Sequence, residues 1–263
     1  MNPFQSVWAI AINTFRETIR DRVLYACVVF AIFLTLAGLL LGSLSVSQNQ
    51  RVLEDIGLFT ISTIGGVIAI FAGTNLVYKE LDKRTIYLIF TKPIGRWQFI
   101  LGKFLGLSLC IVLVTAIMGA ILMILTFVVS GEKIALLLPM IGSLGLICLE
   151  LLLVIAMATF FSTFATPLMS VIFTLSLWLA GHMGQSLLAL SKMSTSQLVK
   201  PLFTGIYYLL PDLSKLTQLR FELMLPGFHM PTATLLLITG YILAYIMLLL
   251  GFATIVTSRR EFN

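Results

Sequence analysis

The sequence predicts an all-α integral membrane protein with six transmembrane helices. Three observations carry that prediction. Hydrophobic residues make up 59% of the 263-residue chain and charged residues only 11%, where a soluble domain holds about 25% charged residues. Mean hydropathy is +1.05. Apolar runs near the ~20 residues that a bilayer core demands recur along the chain, and the charges gather at their ends.

Residues 1–22 are predicted as an N-terminal amphipathic interfacial helix. Phe4, Trp8, Ile12, Phe15 and Ile19 recur on one helical face, with Asn13, Arg16, Glu17 and Arg20 on another. That pattern suits a helix lying in the headgroup layer. Residues 23–263 form the six-span domain, with spans at about 23–43, 56–78, 97–130, 134–164, 168–190 and 232–256. A polar loop holding Gln48, Arg51, Glu54 and Asp55 joins the first two spans. Gly131-Glu132-Lys133 makes an outer turn, and Thr166-Pro167 an inner one. Residues 191–231 are broken by Pro201, Pro211, Pro226 and Pro231. Their apolar pieces are too short to cross, so short interfacial or re-entrant outer-side helices are expected there. No small-residue cleavage site follows the charged N-terminal stretch, so the first span is expected to stay.

Orientation follows from the cations. With the N-terminus inside, Arg16, Arg20, Arg22, Lys79, Lys83, Arg84, Lys92, Arg96, Lys103, Arg259 and Arg260 are cytoplasmic. Only Arg51, Lys133, Lys192, Lys200, Lys215 and Arg220 are outside. The excess of Lys and Arg places both termini in the cytoplasm. The net charge of +6 is a topology signal of this kind, so nucleic acid is not an expected partner; the bilayer is. Cys27, Cys110 and Cys148 lie inside apolar runs and read as small core residues without a disulfide framework.

The densest charged stretch, residues 79–103, sits between the second and third spans. It cannot enter hydrocarbon, where exposed polar groups cost several kcal/mol. Within it a short cytoplasmic helix is expected over about 82–91, ended by Pro93, which supplies no backbone donor. The apolar run Ile86, Tyr87, Leu88, Ile89 and Phe90 suits a plug for a groove on a soluble partner. Glu80, Asp82, Lys83, Arg84, Thr85, Lys92, Pro93 and Arg96 surround it, the charged ones ready for charge-assisted contacts.

These residues resemble the membrane subunits of type-2 ATP-binding-cassette exporters, in the single-domain bacterial form. The family pattern after the second span is an acidic cluster, a Gly-Thr pair, an apolar helix, a Pro, an Arg and a Gly-Lys. Here Glu80 and Asp82, Arg84-Thr85, IYLIF, Pro93, Arg96 and Gly102-Lys103 follow that order, with Arg84 in place of the usual Gly. The stretch YYLLPDLSKL, residues 207–216, also looks like a segment of that form. The resemblance implies a permease in the cell inner (plasma) membrane that exports a substrate, paired with a second copy and docked through residues 82–91, its coupling helix, on two ATPase subunits. No G-x-x-x-x-G-K-[ST] occurs, so the chain is not expected to be an enzyme itself. ATP and magnesium belong to the ATPase, and no cofactor, catalytic residue or metal site is expected on this chain.

Two ionisable residues fall inside spans. Glu150 lies in the fourth and His182 in the fifth. Each is about fifteen residues from the Thr166-Pro167 turn, hence at roughly 22 Å depth on either arm of a helical pair. Three readings stand: a direct Glu150–His182 contact, a protonated Glu150 bonded to a hydroxyl or carbonyl, or a role in substrate or proton passage. The four-residue spacings Gly38/Gly42 and Gly102/Gly106 allow close helix approach, within one subunit or at a dimer seam.

An intramembrane enzyme is a poor rival, since only His182 and His229 are available as histidines. A proton-coupled carrier would want more buried charge and a visible repeat. Two alternatives remain within the same resemblance. One is a non-transporting subunit passing ATP-driven motion to an outer-face accessory protein. The other is a permease for copper-site assembly, with His182-Met183 and His229-Met230 as soft ligands. Few polar groups line the spans, which suits a hydrophobic or amphipathic cargo.

Overall fold

A computed structural model describes residues 3–21, 25, 28–29, 32–33, 35–38, 49–82, 95–130, 137–193, 199–225 and 231–259. All regular structure among them is helical. The helices with both ends among the described residues are α1 (Pro3–Ile19), α2 (Asn49–Asp82), α3 (Arg96–Ser130), α4 (Leu137–Ser162), α5 (Pro167–His182), α6 (Gly184–Met193), α7 (Val199–Leu209), α8 (Leu213–Leu223) and α9 (Thr232–Arg259). Four of them, α2, α3, α4 and α9, are long and apolar enough to cross a membrane, and α5 with α6 makes a fifth if the bent pair is one span. The predicted first span and the helix at 82–91 lie largely outside the described residues.

The core centres on α4. Its residues Leu151, Leu153, Val154, Ile155, Ala156 and Met157 are fully buried, because α2, α3, α5, α8 and α9 all pack around it. Large apolar side chains such as Ile124, Val128, Leu236, Leu237 and Met247 point outward. On a membrane protein that surface faces lipid or another subunit.

Several boundaries differ from expectation. The polar stretch before the second span is not a loop. Arg51, Glu54 and Asp55 are the first turns of α2, with Leu53 and Glu54 buried. At 34 residues, this helix is ~51 Å long and outruns the ~30 Å hydrocarbon layer at its ends. The fifth span breaks at Met183, where α5 and α6 meet at 59°. Thr166 caps the start of α5 in extended conformation with Pro167 in its first turn, where a missing N–H costs nothing. Residues 191–231 hold two short helices, α7 and α8.

The N-terminal helix packs on the bundle through one face. Its small-residue stripe, Val7, Ala11, Thr14 and Thr18, is buried against α3, while Phe4 and Trp8 remain exposed to the surroundings. Gly102 and Gly106 make that seam possible: a Cβ at Gly106 would stand 2.5 Å from the Ala11 carbonyl oxygen, and one at Gly102 would stand 2.7 Å from the Ile10 Cβ. This glycine pair serves packing within one chain. Gly38 likewise rests on Ile56 and Leu53. Cys110 is buried and Cys148 half-buried, both as free thiols.

Candidate functional site

Buried polar groups converge on Glu150, midway along α4. The carboxylate is 1% exposed, and an ion so placed needs donors from every side. Three neighbouring helices supply them. From α2, the Ser62 hydroxyl donates at 3.3 and 3.2 Å to the two oxygens. From α5, the Trp178 indole N–H donates to Oε1 at 3.1 Å, and His182 Nε2 lies 3.2 Å from the same oxygen. From α8, the Arg220 guanidinium stands 3.9 Å from Oε2. One carboxylate thus joins α2, α4, α5 and α8.

Local sequence explains how each group arrives. Ser170, Thr174 and Trp178 recur every four residues on the buried face of α5, and His182 continues that row. Gly66 leaves room for the indole: a Cβ there would meet its ring at 2.7 Å. Arg220 sits one helical repeat beyond Leu213 and Leu216 and is buried with them, an arginine on an apolar helix face. Ser143 of α4 donates to its backbone carbonyl at 3.4 Å.

His182 has both ring nitrogens engaged, with Nδ1 3.0 Å from the Trp178 carbonyl oxygen. Neither nitrogen is left as a ready soft-metal ligand, and no group of three or more potential metal-binding residues occurs among the described residues. The ring also lines a groove of about 460 Å³ between α5, α6 and α8. Gln185 and Ser186 of α6, Thr217 and Glu222 of α8 and Arg51 of α2 are among the residues that line it.

Beside the groove, the YYLLPDLSKL stretch acquires a structural role. The Pro211-Asp212 turn presses on the end of α5, where a Cβ on Gly181 would stand 2.8 Å from the Pro211 carbonyl oxygen. Asp212 accepts from the Tyr207 hydroxyl at 2.8 Å and from the Ser214 hydroxyl, pairs with Lys215 at 3.1 Å, and caps α8 through the Lys215 N–H. Its own N–H donates to the Tyr241 hydroxyl on α9 at 3.3 Å. Burial pushes the Asp212 carboxyl up, but the hydrogen bonds from Ser214, Tyr207 and Lys215 and the Lys215 charge outweigh it and hold it below its ordinary value.

A carboxyl depressed in the fold contributes stability that is present above the unfolded value, about 3.9, and is lost as pH falls through the folded one. Asp212→Asn is therefore expected to destabilise the detergent-solubilised chain by about 1 kcal/mol at neutral pH. The gap to wild type should close below about pH 4. Melting curves across pH check this; a constant gap contradicts it.

Of the expected docking set, Glu80 and Asp82 lie in the last turn of α2, with their side chains outside the described residues. Lys83, Arg84, Thr85, Ile86, Tyr87, Leu88, Ile89, Phe90, Lys92 and Pro93 lie outside them altogether. Arg96 is described, and its guanidinium is engaged within the chain. It donates to the Thr257 carbonyl at 2.8 Å and to that of Ser258, capping the last turn of α9 as a cation at a helix C-terminus should. Lys103 is 2% exposed in α3, its ammonium 5.7 Å from the Phe99 ring centroid. Sequence reasoning picked out Glu150 and His182 but missed Ser62, Trp178 and Arg220. Arg220 on the Leu213/Leu216 face was the available signal.

A family model described as "ABC-2 family transporter protein" matches residues 8–261. No curated protein matches the chain.

Proposed function

Because the chain belongs to the ABC-2 transporter family, as a multi-pass membrane permease subunit, we propose that it forms half of an exporter powered by a separate ATPase. In this reading two copies pair, each with six spans and both termini in the cytoplasm of the cell that holds the inner membrane. Two ATPase subunits dock on residues 82–91, with Ile86–Phe90 as the apolar plug. Closure of the ATPase pair on ATP then moves α2 and α3 together, since the docking segment joins their cytoplasmic ends.

The observation that carries the reading is the family match over nearly the whole chain, in a sequence without a phosphate-binding loop of its own. The cargo is proposed to be hydrophobic or amphipathic, in keeping with the apolar character of the spans. The test is co-purification. The tagged chain, extracted in mild detergent from its host, is expected to bring down a soluble chain carrying G-x-x-x-x-G-K-[ST]. Making residues 86–90 polar is expected to release it. Retention of that ATPase by the polar variant would overturn the docking assignment, and its absence from the wild-type preparation would overturn the permease reading.

A further inference from the structure

The hydrogen-bond geometry of His182 fixes where its protons sit. A backbone carbonyl can only accept, so the 3.0 Å contact to Trp178 O requires a proton on Nδ1. The other nitrogen, Nε2, faces Glu150 Oε1 at 3.2 Å. A single proton then lies between His182 and Glu150, on Nε2 or on the carboxyl. Removing it leaves a nitrogen lone pair pointing at a carboxylate oxygen, and an attraction becomes a repulsion. Ser62 and Trp178 cannot replace the lost proton, because both already donate to the same carboxylate.

This shared proton has a route to solution on one side. Glu150 is 1% exposed, whereas the His182 side chain is 28% exposed and lines the groove. The groups that set its charge balance come from each packed element. Glu150 on α4 favours the proton, and Arg220 on α8 opposes it. Arg51 on α2 and Glu222 on α8 stand around the groove, with Glu222 held by the Gln218 amide at 2.9 Å. The chain also breaks directly after His182, so the contact pins the end of α5 to α4 just before the bend.

We propose that Glu150 and His182 form a proton-binding site open to the outer compartment, which holds α5 against α4 when the proton is bound and releases the end of α5 when it is lost. The side on which the site opens rests on the proposed orientation, with both termini in the cytoplasm; the proton site itself requires only this fold and not the docking of an ATPase.

The full chain carrying His229→Gln keeps His182 as its one histidine. In lipid nanodiscs, ¹⁵N-histidine spectra between about pH 5 and about pH 9 should show Nδ1 protonated throughout. The Nε2 signal should change in a single step as the proton it carries, or accepts from Glu150, is lost. Deprotonation at Nδ1, or no titration in that window, overturns the proposal. A second readout uses Trp178, whose ring lies 5.3 Å from the His182 ring. In the full chain carrying Trp8→Phe and Trp97→Phe it is the sole tryptophan. Its emission should follow outer pH as a one-proton transition in sealed proteoliposomes with the outer face outward. That transition should vanish on adding His182→Gln. A pH-independent emission, or a transition that survives His182→Gln, overturns it as well.

Discussion

Replacing Glu150 with alanine is expected to destabilise the chain by about 3–5 kcal/mol, the cost of breaking a buried charge pair from one side. The physical reason is the partners left behind. Arg220 is 5% exposed and would keep a buried cation without a counter-charge. The Trp178 indole and the Ser62 hydroxyl would lose their acceptor, at about 1–3 kcal/mol for each buried donor left unmet. Glu150→Gln should cost less, because an amide oxygen still accepts from both. The sharper form is a double-mutant cycle. If the cost arises from the stranded guanidinium, Arg220→Met should be milder in the Glu150→Ala background than alone in wild type. Unfolding of the full chain in detergent–SDS mixtures measures all four species. A Glu150→Ala variant within about 0.5 kcal/mol of wild type would show that the cluster does not hold the helices together.

Charge reversal at Glu80 or Arg84 is expected to uncouple ATP hydrolysis from transport in the proposed complex. Losing one partner of a buried, hydrogen-bonded charge pair costs about 2–5 kcal/mol of binding, enough for a drop of more than tenfold in coupled transport. Hydrolysis by the ATPase should persist, since the chain supplies none of its nucleotide chemistry. Assays of the purified complex in proteoliposomes, with hydrolysis and substrate movement followed together, check this. Full coupling in a Glu80→Lys/Arg84→Glu double variant would remove these two charges from the docking surface. Arg96 is a different case. It caps the Thr257 and Ser258 carbonyls, so its loss should loosen the junction of α3 and α9.

Much of this architecture was legible because a membrane imposes simple rules. Span length and charge placement follow from the cost of polar groups in hydrocarbon, and the starts of α3 and α9 lie within a residue of the expected positions. The shared depth of Glu150 and His182 was equally readable, since both are counted from one turn. Their rotation about each helix axis was not. The partners that complete the site come from elements far apart in sequence: Ser62 88 residues from Glu150, and Arg220 from a helix in the proline-broken region 191–231. The bend at Met183 was hidden for a related reason. Nothing local forbids a straight helix through Leu190. The chain turns where Gly181 and Gly184 admit the Pro211-Asp212 turn, with Pro211 O 2.8 Å and Asp212 Oδ1 3.3 Å from the Cβ positions those glycines leave empty. Likewise the small-residue stripe of α1 gave no weight to Ala11 and Thr14 until Gly102 and Gly106 stood opposite them.

The central claim is that this chain is half of an ATPase-driven permease, and the most direct test is the native mass of the complex purified from its host membrane. The account predicts two copies of this chain with two copies of one soluble ATPase, and loss of the ATPase mass when residues 86–90 are made polar. A chain that emerges alone, or with partners that hydrolyse no nucleotide, contradicts it.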